Sequence, residues 1–397
     1  MLGAIDETTA APSRRWSCGG TFMLSFAYGT VGVFWGGWAA ALNDVLRADR
    51  LSPGQASIGL AAFGLAALAS MAFVRPRLRA VSRRGSISLA LVVFAAGCLL
   101  LVAVPAPSLV AGFSVAGIGA GVGDVAINTA GNELEERSRR PVLQWVHAGM
   151  SVGAVIGALG AGVALTAGIG VQAVLLTVGA LPMLPACVVP LAAALDACPR
   201  QQAGSARAGA RWLAPPSGLS LAAVVIVCGV LLEGSLNIWS ALYLGRGLSA
   251  SVLFGGVSLA AFALSMTAGR AFAARVLFRF GCRTTIAVSG AGTVSLGVVL
   301  ALSSSRYVAG AALLVLGFFL AAAVPAGYGM IDGTPERRDA GVAWATAASY
   351  LALMIGPPIM GWLADTVGLH ITMLLLALMA APMTAAALPA RLGASTD

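Results

Sequence analysis

Residues 108–131 read SLVAGFSVAGIGAGVGDVAINTAG, an apolar run of membrane-spanning length that contains a single charged residue, Asp124. A helix of about 20 apolar residues crosses the hydrocarbon core of a bilayer, which is about 30 Å thick. A carboxylate near the middle of such a helix costs about 2.5–3.5 kcal/mol even on the lenient insertion scale. A chain that carries this cost usually uses the group, most often for protons or for a polar solute.

The rest of the chain is also predominantly apolar. Of its 397 residues, 59% are hydrophobic and 10% are charged, and the mean hydropathy is +0.91, which excludes an ordinary soluble domain. The first apolar run is predicted to be retained, because it is long and has no clear cleavage site. We therefore predict an all-α polytopic membrane protein with twelve transmembrane helices, at 20–42, 55–74, 85–105, 108–131, 145–166, 171–195, 219–243, 252–273, 284–304, 307–331, 344–364 and 370–390.

The net charge of +9 follows the predicted topology. All 24 basic residues are arginine. With the N-terminus inside, 20 of them fall in inner segments and only four, Arg47, Arg50, Arg246 and Arg306, in outer ones. The positive-inside rule then places both termini in the cytoplasm. We expect the protein in the inner membrane. The basicity does not predict a nucleic-acid partner.

Several chemistries are not expected. The six cysteines have no paired spacing, so neither a disulfide framework nor a metal site is predicted. Without lysine, the chain lacks a phosphate-binding loop of the Gly-x-x-x-x-Gly-Lys-Ser type. We find no nucleophile–base pair. The chain is predicted not to be an enzyme and to need no cofactor. Its expected partners are a small solute, protons and the lipid bilayer, and it is expected to be a monomer.

Short motifs recur at an offset of about 200 residues. Leu60-Ala61-Ala62-Phe63 returns as Leu259-Ala260-Ala261-Phe262, and Trp38 has a counterpart in Trp239. This repetition indicates two related six-helix halves. The predicted divisions are an N-terminal bundle at 1–195, a cytoplasmic linker at 196–218 and a C-terminal bundle at 219–397.

Three stretches place polar residues in or beside the apolar runs: Trp35-Gly36 with Asn43-Asp44-Val45-Leu46, then Gly123-Asp124-Val125-Ala126-Ile127-Asn128, and Glu233-Gly234 with Trp239-Ser240-Ala241-Leu242-Tyr243-Leu244. Together they resemble the fucose-permease-like branch of the major facilitator superfamily. The basic loop at 75–85 is similar to the superfamily's second-loop signature, with Ser82 where an Asp is usual. In such a loop, arginines hydrogen-bond the ends of helices. The alternative is that 75–85 is an ordinary inner loop whose arginines only follow the positive-inside rule. The resemblance implies two pseudo-symmetric six-helix bundles, and Asp44 and Asp124 as the proton-coupling and sugar-binding carboxylates.

Asp124 and Asn128 share one helical face, which is expected to line a central cavity. His147 opens the next helix and could exchange a proton with Asp124, with Ser151 one turn further on. The alternatives are a structural Asp124 bonded to a neighbouring helix and a solvent-facing His147. Asp44, at the outer end of its helix, could equally be a solvated interfacial charge.

Glu233 is a second deep carboxylate, and Asn237 lies one turn further along the same helix. Because no arginine lies deep in an apolar run, neither Asp124 nor Glu233 has an evident intramembrane cation. Both are therefore expected to be protonated for part of the cycle. The remaining candidates for solute contact are aromatic: Tyr28, Trp38, Trp239 and Tyr328. Aromatic residues also anchor helices at membrane interfaces, and an anchoring role for these four residues is the alternative.

Glycine runs in helices 4 and 5 and the Gly356–Gly361 segment of helix 11 are expected to be packing seams, the last with a proline break.

Functionally, the sequence favours a proton-coupled importer of a small polar solute, a sugar or sugar-like metabolite. The alternative is a proton-antiport exporter of drugs or secondary metabolites. Such antiporters usually carry an arginine in helix 4 and Gly-Pro in helix 5, whereas 108–131 has no arginine and helix 5 has Gly157-Ala158.

Overall fold

The computed structural model describes residues 14–74, 81–103, 107–191, 195, 220–331 and 334–387. Within these residues all regular structure is helical, as the sequence predicts. The helices are α1 Arg14–Ala48, α2 Pro53–Ala69, α3 Arg83–Ala103, α4 Pro107–Ser138, α5 Val142–Thr166, α6 Val171–Ala180, α7 Met183–Val188, α8 Ser220–Leu242, α9 Val252–Leu302, α10 Arg306–Leu320, α11 Ala323–Tyr328, α12 Pro335–Thr366, α13 Leu369–Leu378 and α14 Ala381–Ala387. The predicted linker at 196–218 and residues 75–80 lie outside the described part.

Eleven helical segments of the described chain are long and apolar enough to cross a membrane. They match eleven of the twelve predicted runs. The run at 20–42 is not among them, although α1, with 35 residues, is long enough to span a bilayer. Glycine, tyrosine and tryptophan occupy many of its positions and lower its mean hydropathy.

Prolines and glycine decide where the long runs bend. In the run at 307–331, α10 ends at Leu320 and α11 starts at Ala323. Pro325 cannot donate to the carbonyl of Ala321 in that turn, so the ladder of backbone hydrogen bonds is interrupted there. The break expected at Pro357-Pro358 is absent, because α12 continues through both residues. In α9, Gly281 has φ 75° and ψ 170°, a left-handed conformation that separates two consecutive helices.

The structure divides into two compact units. The first comprises the described residues of Met1–Gly37, Ala62–Gly157 and Gln172–Gly204. The second comprises those of Trp38–Ala61, Ala158–Val171 and Ser205–Asp397. The predicted outer ends of α1, α2 and α5 thus group with the C-terminal half of the chain, while the proposed division at 196–218 stays a prediction.

Small residues let α1 and α5 approach closely within the first unit. A Cβ on Gly36 would fall on the carbonyl oxygen of Ala154, and one on Gly153 would fall on that of Gly29. Glycine is therefore required at these positions, as predicted for the helix 5 seam. Gly160 is an exception to that prediction: a Cβ there would meet nothing within 4 Å. It lies outside the seam because its side of α5 is exposed.

Arginines at the start of α3 bind the end of the sixth predicted span. Arg83 Nη2 donates to Glu133 Oε1 at 2.5 Å, and Arg83 Nη1 donates to the carbonyl oxygen of Leu195 at 3.4 Å. Arg84 Nη1 donates to the carbonyl oxygen of Pro190 at 2.7 Å. These bonds confirm the expectation that arginines of this loop hydrogen-bond helix ends.

The second unit has polar contacts near the predicted outer surface. Arg246 Nε donates to Asn43 Oδ1 at 2.8 Å. Asp365 Oδ2 accepts from Ser52 Oγ at 2.5 Å and from the backbone N–H of Gly54 at 2.9 Å. The Asp365 carboxylate therefore sits at the N-terminus of α2, where the helix dipole favours a negative charge.

Candidate solute and proton site

Asp124 lies at the centre of a hydrogen-bonded cluster in the first unit. The hydroxyl of Tyr28 on α1 donates to Asp124 Oδ1 at 2.6 Å. Asn128, one turn along α4, donates from Nδ2 to the same oxygen at 3.0 Å and to the Asp124 carbonyl oxygen at 2.8 Å. All three side chains are half-buried. The predicted common face of Asp124 and Asn128 is confirmed, because the two side chains bond directly.

His147 joins this cluster from α5. Its Nε2 lies 3.2 Å from Asn128 Oδ1, and its ring meets that of Tyr28 edge to face, with centroids 5.4 Å apart. The amide nitrogen of Asn128 donates to Asp124, so the amide oxygen of Asn128 faces His147. Because an amide oxygen only accepts hydrogen bonds, His147 Nε2 is the donor in this contact. Asn128 therefore lies between His147 and Asp124. The histidine itself is exposed, so the cluster reaches the surface of this unit.

The helix seam explains why these residues meet. Tyr28 precedes Gly29, and His147 is two residues before Gly149. A Cβ on Gly149 would lie 2.5 Å from the carbonyl oxygen of Ser25, so the two backbones nearly touch at this level. Close approach of α1 and α5 brings the tyrosine and histidine rings together beside α4. Ser151, predicted to contact solute, is half-buried and donates to the carbonyl oxygen of His147 at 3.2 Å.

Glu233 in the second unit has a cationic partner. Arg270 Nη2 donates to Glu233 Oε1 at 2.6 Å, and the Asn237 amide donates to the Glu233 carbonyl oxygen at 2.9 Å. The expectation that Glu233 has no intramembrane cation was therefore wrong. Arg270 was counted with the inner arginines although it falls near the end of the predicted run at 252–273; it lies in the apolar span Val252–Ala273, and its long side chain reaches Glu233 from there.

The other predicted site residues lie apart from these two clusters. Trp38 and Trp239 are fully buried, and Trp239 Nε1 donates to the carbonyl oxygen of Pro357 at 3.1 Å. Tyr328 is half-buried and packs against the apolar cluster around Ile226. Asp44 is half-buried, and its Oδ2 is buried and has no hydrogen-bond partner among the described residues. Solute or proton roles for these four residues stay predictions.

Trp35, which the sequence marks within the first resembling stretch, belongs to an aromatic cluster of the first unit that was not predicted. The ring of Trp35 on α1 lies 5.0 Å from that of Phe63 and stacks on that of Phe113 at 6.4 Å. Trp35 follows Tyr28 by seven residues, so both occupy one face of α1. This spacing of two helical turns was the available signal. Among the described residues, no group of His, Cys, Asp or Glu could hold a metal ion.

Comparison with known families decides what these clusters belong to. A family model described as "Major Facilitator Superfamily" matches residues 17–332 and 222–394, which together cover most of the chain. The chain belongs to the major facilitator superfamily. It is therefore a multi-pass membrane transporter, and the resemblance noted in the sequence is confirmed at this level.

Two curated relatives are distant in sequence. "Membrane protein MosC" of Rhizobium meliloti is 36% identical over 141 residues, a match that covers 34% of each chain. An uncharacterized MFS-type transporter of Yersinia pestis is 27% identical over 294 residues, covering 73% of this chain and 74% of its own. Neither name states a solute.

Solved structures of superfamily transporters share the fold. A bacterial homologue of the human lysosomal transporter Spinster, in an inward-facing and unoccupied conformation, has a TM-score of 0.75 at 15% identity, with 94% of this chain and 98% of that chain covered. The E. coli fucose:proton symporter FucP has a TM-score of 0.55 at 18% identity, with 92% and 98% covered. At these identities the likeness concerns the fold alone.

Proposed function

We propose that this transporter moves a small polar solute, a sugar or sugar-like metabolite, together with protons across the bacterial inner membrane by alternating access. The observation that carries the proposal is the hydrogen-bonded cluster of Tyr28, Asp124 and Asn128. It places a carboxylate with polar, exchangeable partners inside an apolar span, Leu109–Ser138. Glu233, Asp44 and His147 are the further candidates for proton handling.

Asp124 is suited to bind and release a proton. Tyr28 and Asn128, which donate to Oδ1, are uncharged, so these two hydrogen bonds bring no full positive charge to the carboxylate. When Asp124 is protonated, one oxygen still accepts hydrogen bonds while the other can donate one. The site can therefore keep its hydrogen bonds in both protonation states. Intramembrane carboxylates of this kind form proton relays in transporters.

His147 offers a connection between Asp124 and water. It is exposed and bonded to Asn128, which is bonded in turn to Asp124. An imidazole changes its charge near neutral pH and can exchange protons with solvent. Because an amide does not pass a proton on readily, His147 would act by reorienting Asn128 or by taking the proton through water.

The same polar groups suit a hydroxylated solute. A sugar presents hydroxyls that both donate and accept, as do the amides of Asn128 and Asn237. Binding would exchange hydrogen bonds such as Tyr28–Asp124 for bonds to the solute. The sugar class also follows the resemblance of the Asp44, Asp124 and Glu233 stretches to the fucose-permease-like branch, and FucP, which shares the fold, is described as a fucose:proton symporter.

The test is external pH during solute addition to proteoliposomes containing the full chain. Neutral sugars (L-fucose, D-galactose, D-glucose) are added first, and then the amphipathic cations ethidium and tetraphenylphosphonium. A proton symporter alkalinises the medium when a sugar is added, because protons enter with it. The variant Asp124→Asn should abolish this alkalinisation while retaining sugar-for-sugar exchange.

Asp49→Asn is the matched control, since Asp49 is exposed and the same atom is replaced. It should behave as the wild-type protein does. Retained alkalinisation in Asp124→Asn would remove Asp124 from proton coupling. Proton release from acid-loaded vesicles on addition of ethidium would instead establish the exporter reading.

A further inference from the structure

We propose that Arg270 binds the carboxylate of an acidic solute, and that Glu233 is the built-in carboxylate which such a solute displaces. The inference rests on the proposed function, and it narrows the polar solute to a hydroxylated acid such as a sugar acid. What carries it is the Glu233–Arg270 ion pair: a guanidinium inside a membrane span, bound by a single carboxylate and open to its surroundings.

The pair is accessible. The side chains of Arg270 and Glu233 are 45% and 27% exposed. Arg270 lies within the apolar span Val252–Ala273, well before the change of helix direction at Gly281. An ion pair that faced lipid at this depth would be costly, so its open side is expected to face a water-filled cavity. A solute in that cavity could reach both side chains.

A second ion pair in the chain provides the contrast. Arg83 and Glu133 are only 11% and 13% exposed, and Arg83 also donates to the carbonyl oxygen of Leu195. That pair is closed by protein and fixes helix ends. Arg270, by contrast, makes one hydrogen bond among the described residues, to Glu233. Most of its five N–H donors are therefore available to a ligand.

The geometry favours exchange of one carboxylate for another. A guanidinium can bind a carboxylate through two parallel N–H···O bonds, whereas the bond to Glu233 is a single one. A solute carboxylate that replaces Glu233 preserves the charge balance of Arg270 and can gain the second bond. A phosphate dianion would exceed the single positive charge, so a carboxylate fits better.

Asn237 extends the site toward hydroxyl groups. It is half-buried one turn from Glu233 and spends one N–H on the Glu233 carbonyl oxygen. Its amide oxygen and second N–H can serve a hydroxyl of the solute. An acid group at Arg270 and a hydroxyl at Asn237 together describe a hydroxy acid of sugar size.

The test is thermal unfolding of the purified full chain in detergent with matched pairs of probes. D-gluconate is paired with D-sorbitol, and D-glucuronate with D-glucose; each pair differs in a carboxylate. Both acids should raise the melting temperature more than their neutral partners. Glu233→Gln should tighten the apparent Kd for the acids by about tenfold, because it removes the competing carboxylate. Arg270→Gln should abolish the difference between acid and neutral probe.

Two further variants keep the outcome interpretable. Arg270→Lys retains the charge and should retain weaker acid binding. The double variant Glu233→Gln/Arg270→Gln leaves no unpaired charge and should fold, yet it should not distinguish acid from neutral probe. The proposal is overturned if the acids stabilise no more than their neutral partners, if Arg270→Gln responds as the wild type does, or if D-glucose 6-phosphate stabilises more than the acids.

The assay separates this inference from the proposed function. It contains no membrane and no proton gradient, so loss of proton coupling through Asp124 leaves the expected acid binding unchanged. Conversely, proton-coupled uptake of a neutral sugar without acid binding at Arg270 would overturn the inference and leave the proposed function standing.

Discussion

Tyr28 ties the only deep carboxylate of α4 to a different helix. Its hydroxyl bond to Asp124 Oδ1, at 2.6 Å, is of the charge-assisted kind when the carboxylate is ionised. Such bonds contribute about 1.5–3 kcal/mol, more than a bond between neutral groups. Tyr28 therefore orients the oxygen that the proposed mechanism uses.

Tyr28→Phe should lower proton-coupled solute uptake at least about tenfold, because a loss of about 1.4 kcal/mol of orientation corresponds to a factor of ten. The protein should still fold, with unfolding free energy reduced by about 0.5–3 kcal/mol. Uptake into proteoliposomes and thermal unfolding measure the two effects. Tyr307→Phe is the control, since Tyr307 is 65% exposed; equal losses in both variants would argue against a special role of Tyr28.

At the level of single residues, the sequence predicts pairing along one helix better than pairing between helices. Asp124 and Asn128 were expected to share a face because i and i+4 always do. The Arg270–Glu233 bond joins two helices, and its distance depends on how α8 packs on α9. Nothing in the run at 252–273 reports that packing, so the sequence predicts no cationic partner for Glu233.

The seam between α1 and α5 is the element that determines the shape of the Asp124 site. Glycines on both helices remove the side chains that would otherwise hold the backbones apart. Tyr28 and His147 lie beside these glycines and meet because the helices do. A larger residue in the seam is therefore expected to disturb both stability and the site.

Gly153→Ala and Gly160→Ala test this with the same substitution on one helix. Alanine favours a helix by about 1 kcal/mol over glycine, so Gly160→Ala, where the added Cβ meets nothing within 4 Å, should be neutral or stabilising. In Gly153→Ala the Cβ meets the Gly29 carbonyl oxygen, and we expect a net loss of about 1–3 kcal/mol. Melting temperatures in detergent measure the difference; the same sign for both would contradict the seam.

At the element level, the apolar runs located most spans, because run length alone reports a crossing. The sequence predicted a proline break in helix 11 that the structure does not have. Pro325 falls where α10 gives way to α11, whereas Pro357 and Pro358 leave α12 continuous. A proline can be absorbed when neighbouring helices satisfy the freed carbonyls, and that depends on tertiary packing.

Across the whole molecule, the two halves of the sequence repeat a core residue but not a site residue. Trp38 and its repeat counterpart Trp239 are both fully buried, at 0% and 1% exposure, so the repeat preserves a packing role at this position. The counterpart of Glu233 is Gly32, where a Cβ would fall on the Met150 carbonyl oxygen. One half therefore needs a small residue for helix packing where the other presents a carboxylate to Arg270.

The arginine distribution makes a prediction about the molecule in its membrane. With 20 arginines on one side and four on the other, both termini are expected in the cytoplasm. Green fluorescent protein fused after Asp397 should fluoresce, because it folds in the cytoplasm, whereas alkaline phosphatase fused there should be inactive.

A fusion within the loop after Gly247 supplies the opposite case, because that loop joins two consecutive spans at the predicted outer surface. Alkaline phosphatase fused after Ser249 should be active, and green fluorescent protein there should be dark. If the chain crosses the membrane twelve times, with α1 as the first crossing, Ser249 and Asp397 lie on opposite sides. An active phosphatase at both Asp397 and Ser249, with the N-terminus in the cytoplasm, would mean that the crossings do not alternate as twelve spans require, and since eleven other spans are already apolar enough, α1 would then be the first helix to examine.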